Sequence, residues 1–130
     1  MNFLFFNNDW LAILPELFLI VSINLILLYA VIYSTSPFFD FPLLLNNVSW
    51  LSVLLLIIVL YLIINNSFLN ITIFNNLLVI DLFGNFIKSF VLISTICILM
   101  MSLAYNKFEK VNSFEFPLLI MLTILGTLLL

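Results

Sequence analysis

From Trp10 to Tyr33 this chain carries a single charged side chain, Glu16, among residues that are otherwise almost all aliphatic or aromatic. Coiled as an α-helix at ~1.5 Å per residue, such a run exceeds the ~30 Å of hydrocarbon in a bilayer. Further apolar runs occupy about 47–64 and 82–105, and a shorter one fills about 117–130. A soluble domain carries roughly 25% charged residues. Here 7% are charged, 66% are hydrophobic and the mean hydropathy is +1.40. Folded in water, the chain would present apolar patches above the roughly few hundred Å² that drive association. The expected fold is an all-α membrane protein of about four transmembrane helices, with a short hairpin-like connection between helices 2 and 3. Residues 1–130 are expected to form one transmembrane module.

The charges exclude several function classes. Three lysines (Lys88, Lys107 and Lys110), with neither Arg nor His, cannot neutralise a run of phosphates, so no nucleic-acid partner is expected. Cys/His and Ser/His catalytic arrangements fail for want of a histidine. Cys97, the lone cysteine, allows no disulfide framework and reads as a small buried residue. Two glycines leave no phosphate-cradling loop. No catalytic residue, cofactor or metal is expected on this chain. The N-terminus has neither the basic region and cleavage motif of a secretory signal nor the character of a transit peptide.

Along helix 1, Pro15 is tolerated if it stands near the first turn, which leaves Glu16 beside free N–H groups where the helix dipole favours an anion. Ser34 to Pro42 holds two prolines and reads as a loop. Helix 2 is bracketed by Asn46-Asn47 and Asn65-Asn66, with Trp50 and Tyr61 as interfacial anchors near its ends. Residues 66–80 are apolar but broken by asparagines, and Asn75-Asn76 between β-branched runs predicts a hairpin turn, since Asn tolerates positive φ. In helix 3, Asp81, Lys88, Thr95 and Ser102 recur every seven residues and so share one face, which should meet other helices because lipid offers such groups no partner. The connection from Asn106 to Phe116 carries Lys107, Glu109, Lys110 and Glu115. Lysines in short loops stay on the side of synthesis, which places both termini on the opposite side. Helix 4, about 117–130, rises only about 21 Å and lacks a polar tail. A separate chain is expected to continue the structure.

Lys88 is the sharpest candidate for function, because an ammonium about two turns inside a membrane helix is costly and is either paired or functional. The bland reading pairs it with Asp81 along the shared face, or lets it snorkel to the interface. The sharper one gives it a place on a proton path. Glu16 is likewise either a first-turn acid at the interface or a proton carrier. Ser113 is suited to cap helix 4, with Glu115 in its first turn. Asp40 reads as a solvated loop charge, and Gly84 and Gly126 as points of close helix approach.

Several segments, in order and at consistent spacing, resemble chain 2 of proton-translocating NADH:ubiquinone oxidoreductase, respiratory complex I, in its mitochondrial form. They are Leu14-Pro15-Glu16, Tyr33-Ser34-Thr35-Ser36, Asn46-Asn47-Val48-Ser49-Trp50-Leu51 and Phe74-Asn75-Asn76-Leu77. They continue with Asp81 through Lys88 (DLFGNFIK), Phe114-Glu115-Phe116-Pro117-Leu118-Leu119 and Ile124-Leu125-Gly126. The resemblance implies the N-terminal portion of an antiporter-like subunit, whose first helices form a scaffold beside a proton channel. The family's channel residues, a glutamate on the fifth helix and lysines on later ones, have no counterpart in four helices, as a split organellar gene would explain. Implied partners are other complex I membrane-arm subunits, especially the chain carrying the remaining helices, together with membrane lipids. The implied location is the mitochondrial inner membrane, with both termini on the intermembrane-space side. The implied role is support of proton translocation coupled to NADH oxidation and ubiquinone reduction. Competing readings are a small standalone ion transporter or channel using Lys88 and Asp81, or a membrane anchor of another complex.

Overall fold

The computed structural model describes residues 10–34, 41–66, 71–73, 76–109 and 115–130. Its elements are α1 (Leu14–Ser34), α2 (Phe41–Ile64), β1 (Ile71–Ile73), β2 (Leu78–Ile80), α3 (Leu82–Glu109) and α4 (Glu115–Leu129). Among the described residues three helices are long and apolar enough to cross a membrane, and α4 is apolar but shorter. The all-α membrane architecture expected from the sequence is therefore observed.

Helix starts follow from backbone chemistry. Pro15 is the second residue of α1, and the Leu17 N–H donates to the Ile13 carbonyl at 3.1 Å. Residues 10–12 are helical too and residue 13 forms a turn, so the missing proline N–H falls at the junction that opens α1. The same logic corrects the expected start of the second helix. α2 begins at Phe41, not Asn47, with Pro42 in its first turn, so this proline initiates the helix that it was expected to precede. As a result Trp50 moves from the helix end to the third turn. α3 in turn runs on to Glu109, so Lys107 and Glu109 belong to its last turn and not to a loop. The Asp40 and Ser113 readings lie outside the described residues.

Between α2 and α3 the predicted hairpin is present. β1 and β2 pair antiparallel with Ile71 opposite Ile80 and Ile73 opposite Leu78. Asn76 takes φ 66°, the left-handed conformation that asparagine tolerates better than most side chains.

Short connections make successive helices antiparallel. α1 packs on α2 and α4, α3 packs on α2 and α4, and α2 also touches α4. Direct packing between α1 and α3 is slight, so they stand on opposite sides of the α2/α4 pair. The core joins all four helices. Leu19 and Ile23 from α1 meet Val53, Leu56, Val59 and Ile63 from α2, Leu92 and Leu99 from α3, and Met121, Ile124 and Leu128 from α4. A second cluster gathers Ile26, Ala30, Leu44, Val48 and Leu118.

Outside this core the surface is apolar. Val21, Leu25, Leu28 and Ile32 form an exposed stripe down α1. In water such a surface would aggregate, whereas in lipid it is the expected exterior. Serine and threonine hydroxyls are satisfied within their own helices. Ser22 donates to Leu19 O at 2.8 Å, Ser49 to Leu45 O at 2.7 Å and Ser52 to Ser49 O at 2.7 Å. Back-bonding of this kind lets a hydroxyl sit in hydrocarbon without a second helix.

The packing makes a direct prediction. Leu56 is fully buried and Leu54 is 54% exposed on the same helix. Leu56→Ala should cost about 2–3 kcal/mol through the lost contacts and residual cavity, whereas Leu54→Ala should cost almost nothing. Thermal unfolding of the two variants in lipid nanodiscs measures the difference, and equal losses would place the core elsewhere.

Candidate functional site

The one ion pair between helices among the described residues joins the candidates Glu16 and Lys88. The Lys88 Nζ donates to Glu16 Oε1 at 2.7 Å. Glu16 stands in the first turn of α1, Lys88 in the second turn of α3. Both lie at the end of the bundle where α1 and α3 begin. Because these helices scarcely pack on each other, the long lysine stem spans the gap that apolar contacts leave open.

Burial decides what the pair can do. The Glu16 side chain is 8% exposed and that of Lys88 26%. Withdrawing two charges from water costs several kcal/mol each, recovered only if the partners meet in good geometry. At 2.7 Å this contact is a short charge-assisted hydrogen bond. It adds a direct tie between two helices whose apolar coupling runs mainly through α2 and α4.

Asp81 has a different task. Its Oδ1 accepts from the Gly84 N–H at 2.9 Å, and its backbone carbonyl accepts from the Asn85 N–H at 3.1 Å, which makes it the N-cap of α3. Gly84 serves this cap. A Cβ built at residue 84 would meet Asp81 Oδ1 at 2.5 Å, so a side chain there would push the carboxylate away. Glu16, Asp81 and Lys88 together line an open cavity of about 440 Å³, flanked by Leu77–Ile80 of the hairpin and by the C-terminal turn of α4.

Several expectations are corrected by this geometry. Lys88 does not pair with Asp81. Seven residues of helix separate the two by about 10 Å along the axis, and the cap holds the Asp81 carboxylate at the helix start. The polar seam itself is real, for Asp81, Lys88, Thr95 and Ser102 are all half-buried. Its hydroxyls nonetheless need no neighbouring helix, since Thr95 donates to Leu92 O and Ser102 to Leu99 O, both at 2.8 Å. Glu16 keeps its expected first-turn position and is buried against the bundle. Within this chain neither glycine meets another helix, since a Cβ at Gly84 would touch only Asp81 and nothing lies within 4 Å of one built at Gly126. Cys97 is exposed, not buried, because α3 turns Leu92 and Leu99 inward and leaves residue 97 on its outer face. Among the described residues, no group of three or more His, Cys, Asp or Glu converges as metal ligands would. Nothing in the one-dimensional pattern singled out Glu16 as the lysine's partner, which lies 72 residues away.

Comparison with known proteins adds the relationship. The chain is similar to NADH-ubiquinone oxidoreductase chain 2 of Marchantia polymorpha, 41% identical over 120 residues that cover 91% of this chain and 24% of that protein. Over nine tenths of its length the chain is a homologue of chain 2, matching about a quarter of that protein. To chain 2 of Arabidopsis thaliana it is 37% identical over 125 residues, covering 93% of this chain and 25% of the relative. To NADH-quinone oxidoreductase subunit N of Paramagnetospirillum magneticum it is 31% identical over 121 residues, covering 93% and 23%. No family model matches. The chain thus spans about a quarter of the length of its chain 2 relatives, and the Glu16–Lys88 pair lies within that quarter.

The coupling of the two charges is measurable. Lys88→Met strands a buried carboxylate and should cost about 3–5 kcal/mol, whereas adding Glu16→Gln should recover much of that loss. A double-mutant cycle by thermal unfolding in nanodiscs isolates the pair. Strict additivity of the two single changes would mean that the groups do not interact.

Proposed function

We propose that this chain is the scaffold segment of an antiporter-like membrane subunit of NADH:ubiquinone oxidoreductase, resident in the mitochondrial inner membrane. In this reading it packs beside the polypeptide that supplies the rest of chain 2, and with other membrane-arm subunits it supports proton translocation coupled to NADH oxidation and quinone reduction. It contributes no reacting group.

The observation that carries the scaffold role is the Glu16–Lys88 pair. The one lysine within the membrane-length part of α3 is spent on a glutamate of α1, and the neighbouring hydroxyls of Thr95 and Ser102 are spent on their own helix. Polar groups engaged in this way hold helices in place and leave no continuous polar track along α3. A standalone conductor built on Lys88 and Asp81 is disfavoured by the same geometry, since Asp81 is engaged as a helix cap. Of the three membrane-length helices α3 buries the smallest share of its span, which leaves it the largest lateral surface for neighbouring helices. The lysines Lys107 and Lys110 favour the side of synthesis for the α3–α4 connection, which sets both termini toward the intermembrane space.

The test is copurification. An epitope-tagged chain, solubilised in mild detergent and resolved on a native gel, is expected to migrate with a large assembly that oxidises NADH. Migration as a small separate species beside an intact, active assembly would refute the reading.

A further inference from the structure

The cavity beside the ion pair has a chemistry that the pair itself does not exhaust. Lys88 has three N–H donors and gives one to Glu16, and a quarter of its side chain remains exposed toward the cavity it lines. Asp81 commits Oδ1 to the Gly84 N–H, which leaves Oδ2 with acceptor capacity in the same cavity. Around these polar groups the lining is apolar, with Leu77 and Val79 of the hairpin largely exposed and Ile87 of α3 half-exposed. At about 440 Å³, the volume falls within the ~300–1,000 Å³ range of small-ligand sites.

These features select one kind of ligand. The charged side chains of the lining, two carboxylates and one ammonium, sum to −1, which opposes an anionic headgroup. A quaternary ammonium has no N–H to donate to Asp81. A ligand that complements the site carries a phosphate acceptor for Lys88, a primary ammonium for Asp81, and apolar chains that pass Leu77 and Ile87 into the bilayer. We infer that the cavity holds the headgroup of a zwitterionic phospholipid of the phosphatidylethanolamine class. Its phosphate accepts from the free Lys88 protons and its ammonium donates to Asp81. The lipid seals the end of the bundle where the ion pair joins α1 to α3.

The test uses the chain in the assembly from which it is isolated, exchanged into mixed micelles with equimolar phosphatidylethanolamine and phosphatidylcholine, with retained lipids counted by native mass spectrometry. Wild-type and variant assemblies are compared so that lipids bound elsewhere cancel. The expected result is one retained phosphatidylethanolamine per chain, favoured about tenfold over phosphatidylcholine, as loss of one charge-assisted hydrogen bond implies. Asp81→Asn keeps an equally good N-cap and should bring that preference close to parity. Leu77→Trp should fill the cavity and abolish retention of both lipids. Equal retention of the two lipids by the wild type, an unchanged preference in Asp81→Asn, or displacement by added phosphatidylglycerol would each overturn the assignment. None of these outcomes bears on whether the chain migrates with an NADH-oxidising assembly, so the two readings fail separately.

Discussion

In hydrocarbon, apolar side chains gain nothing by exchanging lipid for protein, and a bundle must be held by fit and by a few polar contacts. That constraint shapes every feature of this chain. α2 sits against all three of its neighbours, and its inward residues Val53, Leu56, Val59 and Ile63 recur at helical spacing and make the shape around which α1, α3 and α4 close. The exterior is as hydrophobic as the core, so hydrophobicity alone could not tell the faces apart. What separates them is packing, with Leu19, Leu56, Leu92 and Leu99 wholly enclosed while chemically identical leucines face outward.

Against that background the polar atoms are informative. Hydroxyls at Ser22, Ser49, Ser52, Thr95 and Ser102 return to carbonyls of their own helices, and so cost little wherever they stand. Lys88 has no such local recourse, because its own helix offers an ammonium no carboxylate within reach. Glu16 is likewise bound to find a cation or bear the desolvation alone. Their meeting across the bundle is the contact that ties α1 to α3, and it places the strongest electrostatic interaction where side-chain packing is thinnest.

How much of this was legible in the sequence depended on the range of the physics involved. The number of helices, the hairpin and the positive φ at Asn76 rest on interactions within a few residues, and the spacing of seven from Asp81 to Ser102 correctly placed four polar groups on one face. Where two local rules competed, sequence reading chose wrongly. Pro42 could end a loop or begin a helix, and only the packing of Leu44, Leu45 and Val48 against the bundle settles that it begins one. The partner of Lys88 was not legible, since residues adjacent on one helix face suggested Asp81, whereas the contact made is set by how distant helices lie. Gly84 shows the same limit at short range, because its role concerns an oxygen of Asp81 and not another helix. The relationship to chain 2 was legible from ordered segments alone. The buried state of Glu16 was not.

The pair also has an order in time. Glu16 is translated 72 residues before Lys88, and at ~5–20 residues per second that interval lasts about 4–15 s. Throughout it α1 carries a carboxylate with no cation to meet it, favoured only by the dipole of its own first turn. The first helix therefore enters the membrane unfinished. Its carboxylate is paired only when the third helix arrives, and anything that delays or diverts α3 prolongs the time that this charge stands alone.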